Sequence, residues 1–170
     1  MRNPLLVNAL EMLRRPGTAK DVEIFVLPEV VEIDDPRLVT GTEIAVVLNC
    51  ESLSDGVVVT GHIGVVFQGE CRRCLTPVGA SMEIAVRELY QLVLTDPDAF
   101  EITNDQINLS PMVRETVLLA LPAAPLCQSD CLGLCPTCGI DLNHQQCSCG
   151  GEATDPRWAA LDGLRDQFPE

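Results

Sequence analysis

The chain is short of aromatic side chains, of positive charge and of long apolar runs, and each shortage narrows what it can be. One Trp, one Tyr and four Phe make aromatics 4% of its 170 residues. The core must therefore be built from Val, Leu, Ile and Ala. Lys and Arg number 11 against 25 Asp and Glu, a formal net charge of -14. As a whole such a chain repels phosphate backbones, because nucleic-acid affinity rests on cationic neutralisation and counterion release. Its long-range field should attract basic partners instead. No apolar run approaches the roughly 20 residues that span a bilayer. The opening stretch MRNPLLVNALEMLRRPG is too interrupted for a secretory h-region and lacks a small-residue cleavage site. A cytoplasmic protein is expected. No glycine-rich phosphate loop, nucleophile elbow or paired-carboxylate arrangement is visible, so the expected role is binding rather than catalysis.

What is present suffices for a folded domain. Hydrophobic residues make up 46% of the chain, enough to bury a core in one domain with a small appendage. Charge is uneven: Arg2, Arg14, Arg15 and Lys20 face Glu11 alone in the first twenty residues, and everything after is acidic. Residues 1–20 thus read as a basic arm. Residues 21–125 read as an α+β core. Its strands are expected at Asp21–Leu27, Thr42–Cys50, Val57–Cys71 and Val78–Leu92, with a hairpin turn at Ser54-Asp55-Gly56. Gly61 and Gly64 suggest bends within the third strand. Residues 94–108 read as a polar connection. A helix follows, with Ser110 as N-cap, Pro111 at N1 and Pro122 as the stop. Its end, Leu118 to Leu121, has almost no polar face, so it is either buried on all sides or an apolar contact surface. Residues 126–151 form a cysteine-rich lobe. Residues 152–170 form a tail whose helix, Arg157 to Phe168, carries an apolar stripe of Trp158, Leu161 and Leu164. The architecture expected is a bent antiparallel sheet or partial β-barrel with one central helix and a zinc-binding C-terminal lobe.

The nine cysteines carry the chemistry. In a chain without an export signal, close-set pairs point to metal rather than disulfides. Cys71-Arg-Arg-Cys74 and Cys135-Pro-Thr-Cys138 are C-x-x-C turns, which aim two thiolates at one cation. Gly139 follows the second where a left-handed residue is favoured. With Cys127, Cys131, Cys147 and Cys149, eight thiols divide into two structural zinc sites. We favour Cys135, Cys138, Cys147 and Cys149 as a local site, with Cys71 and Cys74 meeting Cys127 and Cys131 across the fold. The rival grouping joins Cys127, Cys131, Cys135 and Cys138, and sends Cys71 and Cys74 to Cys147 and Cys149. His144 is a candidate replacement ligand. Cys50 reads as a small buried hydrophobe, and His62 as a structural residue of a strand. Arg72 and Arg73 would offset the charge of a tetrathiolate or touch RNA phosphate.

RRPG at 14–17, VTG at 59–61, CRRCLTPV at 71–78, VRETVLLALPAAPLC at 113–127, CLGLCPTCGIDLN at 131–143 and DPRWAAL at 155–161 together resemble the YceD family. That family is named for its effect on accumulation of large-subunit ribosomal RNA, and the cysteine-rich end is similar to the form found in many Gram-positive bacteria. The resemblance implies a ribosome biogenesis factor for the large subunit. The acidity adds that a basic large-subunit ribosomal protein, or the pre-ribosomal particle carrying it, is a better partner than naked RNA. The competing expectation is an RNA-binding assembly factor that uses residues Arg2 to Lys20 together with Arg72 and Arg73.

Overall fold

The computed structural model describes residues 4–149 and Arg157. The expected tail helix, with Trp158, Leu161 and Leu164, lies outside the described residues apart from its first. In chain order the elements are β1 (Leu6–Asn8), α1 (Leu10–Arg14), β2 (Ala19–Val26), a 3-10 turn (Pro28–Val31), β3 (Ile44–Ser52), β4 (Gly56–Glu70), β5 (Pro77–Gln91), β6 (Phe100–Glu101), β7 (Gln106–Asn108) and α2 (Ser110–Ala120).

Alternation of β-branched and polar residues makes the main sheet. On β3, Ile44, Val46, Leu48 and Cys50 are buried, and on β4 Val57, Val59, Ile63 and Val65. The register sets these rows side by side, pairing Val46 with Ile63 and Cys50 with Val59. On β5, Val86 and Tyr90 continue the buried face, Tyr90 opposite Val57. Strands run in the order β2-β3-β4-β5-β6, and the sheet is not closed. The hairpin turn before Gly56 is as read from the sequence, with the Leu53 N–H donating to the Gly56 carbonyl at 2.8 Å. Gly61 has a positive φ of 145°, and a Cβ there would sit 2.2 Å from the Val47 carbonyl oxygen. Only glycine allows β3 and β4 to pair through this point.

Helix α2 buries Met112, Val113 and Val117 against the sheet. Its start differs from expectation by one residue. Leu109 is the cap, and the Asn108 carboxamide oxygen accepts the Ser110 N–H at 3.1 Å. The helix stops as Pro122 requires, with Leu121 extended at φ -60°, ψ 125°. The leucine-rich end is neither wholly buried nor a continuous patch: Leu121 is buried, and Leu119 is 87% exposed.

Two sequence expectations need correction. Of the expected basic arm at residues 1–20, the described residues 4–20 do not stand apart from the core. Leu5, Val7, Ala9 and Met12 are buried, and β1 pairs antiparallel with β7. The apolar residues alternate through Leu5, Val7 and Ala9, and this pattern outweighs the charges that dominate the sequence reading. The polar connection at 94–108 is likewise part of the fold. It supplies β6, parallel to β5, and β7, and it buries Ile102 and Ile107. Among the described residues, no helix is long and apolar enough to cross a membrane.

Candidate metal centre

Strands β4 and β5 are the longest in the sheet, and Glu70 still pairs with Pro77 at their far end. The six residues between them, Cys71 to Thr76, are therefore the hairpin tip, and they carry the first C-x-x-C. Inside this tip the Cys71 N–H donates to the Thr76 carbonyl at 2.8 Å, and the Leu75 N–H to the Cys71 carbonyl at 2.9 Å. The second C-x-x-C repeats the pattern at the same offsets. The Cys135 N–H donates to the Ile140 carbonyl at 2.8 Å, and the Gly139 N–H to the Cys135 carbonyl at 2.9 Å. The residue after the second cysteine is left-handed in both, Leu75 at φ 62° and Gly139 at φ 75°. Glycine adopts this conformation freely; leucine does so under strain. The two turns are one motif used twice.

The eight thiols gather into two groups. Cys71, Cys74, Cys127 and Cys131 form one, and Cys135, Cys138, Cys147 and Cys149 the other, with all sulfurs in a group within 4.8 Å of one another. This is the favoured grouping and not its rival. Cys71 lies 3.7 Å from Cys131 and Cys74 3.5 Å from Cys127; Cys138 lies 3.4 Å and Cys135 3.3 Å from Cys147. A disulfide needs about 2.05 Å, and every cysteine is free. A tetrahedron of zinc–sulfur bonds of about 2.3 Å has edges of about 3.8 Å. Both groups fit a tetrahedral, all-sulfur ion, and four thiolates leave no open coordination position.

Electrostatics point the same way. Burial pushes the Cys71 thiol up, but the backbone N–H groups of Cys127, Cys74 and Arg73 outweigh it and bring it to about 6. The N–H groups of Cys138 and Thr137 bring Cys135 to about 6 as well. Burial and the neighbouring sulfurs push Cys127 up to about 12. In the second group Cys147 also stands at about 12: its three sulfur neighbours outweigh the lowering hydrogen bond from the Cys149 N–H. One sulfur in each group is prepared to be a thiolate, and another cannot ionise beside it unless a cation neutralises the cluster.

The groups differ in setting. Cys71, Cys74 and Cys131 are buried with Val78, Leu126 and Leu134 packed around them. In the second group only Cys135 is buried. The lobe is clipped to the hairpin tip by backbone bonds. The Arg72 N–H donates to the Pro125 carbonyl at 2.9 Å, and the Leu134 N–H to the Arg73 carbonyl at 3.1 Å. Gly133, at φ 79°, lies against Arg73, where a Cβ would meet the Arg73 carbonyl oxygen at 3.1 Å.

Sequence reasoning missed Asn143. Its carboxamide donates to the Cys131 sulfur at 3.4 Å and to the Asp141 carboxylate at 2.7 Å, and it accepts the Leu132 N–H at 2.8 Å. It orients a ligand of one group from a loop of the other. The Asp-x-Asn spacing is its only signal in the sequence. His144 belongs to neither group, and its Nε2 stands 3.8 Å from Asp141. Arg73 donates to the Cys131 carbonyl at 2.7 Å and so braces the site. Cys50 is fully buried in the core, where burial pushes its thiol up to about 11. His62 is exposed on β4.

Fold and clusters together define a small α+β protein with two four-thiol sites able to hold metal ions. The comparison with known proteins is more specific. Residues 59–165 match the family of the large ribosomal RNA subunit accumulation protein YceD, and the chain belongs to it. It is 34% identical to the uncharacterized protein Rv2926c of Mycobacterium tuberculosis, covering 94% of this chain and 80% of that one. It is 32% identical to the uncharacterized protein YlbN of Bacillus subtilis over 59% of this chain and 61% of that one. With the chloroplastic YCED homolog 1 of Arabidopsis thaliana it shares 35% identity over 38% of its own length and 20% of the relative's. No solved structure matches the chain significantly.

Proposed function

We propose that this protein is a cytoplasmic, non-enzymatic ribosome biogenesis factor. It promotes accumulation of large-subunit ribosomal RNA by binding or chaperoning a basic large-subunit ribosomal protein, and it holds two structural zinc ions. The observation that carries the partner is charge: a member of a family named for ribosomal RNA accumulation has a net charge of -14. Its field steers basic proteins towards it and phosphate away. The zinc reading rests on two closed sulfur tetrads, the coordination preferred by structural zinc.

The test is affinity capture of the chain from cells, with and without RNase. Retention of a basic large-subunit protein after RNase is the expected result; loss of every partner removes the proposal. One observation favours a second reading, in which the factor touches RNA directly. Arg14, Arg15 and Lys20 line one groove of ≈ 670 Å³ beside Asn8 and Thr18. If that reading holds, binding to ribosomal RNA fragments falls steeply with salt, and replacing Arg14 and Arg15 flattens the dependence.

A further inference from the structure

Glu88 occupies an inward position of β5. It lies between Val86 and Tyr90 in the row that faces the core, and pairs with the fully buried Val59. A carboxylate on this face is out of keeping with the apolar residues on either side. It opens into a groove of ≈ 420 Å³ between β5, α2 and the loop that leads into β6. Met112 and Phe100 contribute apolar surface, Phe100 held by stacking on Tyr90 with ring centroids 5.1 Å apart. Leu119, 87% exposed, stands on the α2 side. Glu115 on the helix and Asp98 on the loop complete the lining charges, all three negative. Among the described residues, neither ion pair involves Glu88, Asp98 or Glu115.

The geometry points to this groove as the docking site for a basic segment of a partner protein, one that presents Lys or Arg beside an aliphatic side chain. The inference rests on the chaperone reading above and names the surface that carries it. Charge complementarity selects the occupant. Desolvation, then Glu115 and Asp98, push the Glu88 carboxyl above the usual carboxylate range, and a cation between them relieves that repulsion. RNA would bring phosphate against three carboxylates. The chain's own C-terminal segment is a poor occupant, since residues 152–170 carry Glu152, Asp155, Asp162, Asp166 and Glu170 against Arg157 and Arg165. Leu119 supplies a short-range apolar contact, which steering charge alone does not give.

The test uses the whole zinc-loaded chain and a labelled amphipathic peptide of Lys and Leu, with a Glu–Leu peptide as its counterpart. Glu115→Lys, Leu119→Ser and Asp98→Lys change three exposed residues on two elements, and Glu43→Lys, exposed ahead of β3, is the charge-matched control. Each groove variant should weaken binding of the basic peptide about tenfold, the scale of a modest hot spot. Glu43→Lys should change it little, and the acidic peptide should not bind. Equal binding by all variants, or equal loss in the control, overturns the groove. So does tighter peptide binding after removal of residues 152–170, which would make the tail its occupant. The same variants, offered large-subunit ribosomal proteins freed of RNA, separate the two proposals. Capture by the wild type and by every groove variant sinks the groove and leaves the chaperone reading standing. No capture by the wild type, with groove-dependent peptide binding, sinks the ribosomal reading and leaves the groove.

Discussion

The unequal setting of the two thiol groups predicts that removing one ligand from each will have different consequences. Cys74→Ser strikes the buried group, whose sulfurs join the β4–β5 hairpin tip to the chain that leaves α2. A structural zinc contributes on the order of 10 kcal/mol to folding at pH 7. Losing one ligand of four should remove about a quarter of that, roughly 3 kcal/mol, a large part of a stability of about 5–15 kcal/mol. For a domain of this size 1 kcal/mol corresponds to about 3 °C, so Tm should fall by about 9 °C. Cys138→Ser strikes the exposed group, which lies outside the main core. It should release one zinc and lower Tm by no more than about 3 °C, within 1 kcal/mol. Zinc is counted by elemental analysis and by release to a chromogenic chelator, and Tm by calorimetry. Chelator should strip the wild type in two phases, the faster belonging to the Cys135–Cys149 group. The reasoning is refuted if both variants lower Tm equally, or if two zinc ions leave in a single phase. Absence of stoichiometric metal from folded, reduced protein refutes it outright.

Other consequences follow from single residues. Gly61→Ala should fail to give a native far-UV and amide NMR signature, because its Cβ would press on the Val47 carbonyl oxygen at 2.2 Å. Leu75→Gly should leave zinc content unchanged and stabilise the protein by about 0.5 kcal/mol. Relief of a left-handed leucine, about 1–2 kcal/mol, outweighs the added chain entropy of glycine, and the side chain is 58% exposed. Arg37→Ala should cost about 1 kcal/mol in denaturant unfolding. It removes the bidentate pair with Asp35 and the bond to the Leu121 carbonyl at 3.0 Å. Because Arg37 holds the Asp35 carboxyl below its ordinary value, that stabilisation is full above the unfolded carboxylate pKa. It fades as pH falls through the lower folded value, and the variant should lack this acid-side loss.

The sheet was readable in the sequence because β2 to β5 are long and regular, and the hairpin at Asp55-Gly56 carries its own turn chemistry. The short elements were not. Strands β1, β6 and β7 have two or three residues each, too few for a period to show. They exist because β1 and β7, a hundred residues apart in sequence, supply each other's hydrogen bonds, and β6 draws its own from β5. The charges of Arg14, Arg15 and Lys20 drew attention from the buried Leu5, Val7 and Ala9. The cysteines were legible from their spacing, which favoured the observed grouping but left its rival open. The grouping depends on the C-x-x-C at 71–74 standing at a hairpin tip that α2 directs Cys127 and Cys131 to meet. Asn143 left only the Asp-x-Asn spacing to read, since its role exists only once the two groups lie side by side.

The strand order has a further bearing on how the chain is made. A metal bound through Cys74 and Cys127 would shut a loop of about fifty residues containing β5, β6, β7 and α2, and closure of such a loop is opposed by chain entropy until its contents are folded. The local group has no such obligation, because its four sulfurs lie within one short stretch. With a metal bound, the buried group would therefore act as a late clasp, closing once β5 has paired with β4 and α2 has settled on the sheet. Metal held at the hairpin tip would then be a record that the β4–β5 hairpin and the chain leaving α2 have already met.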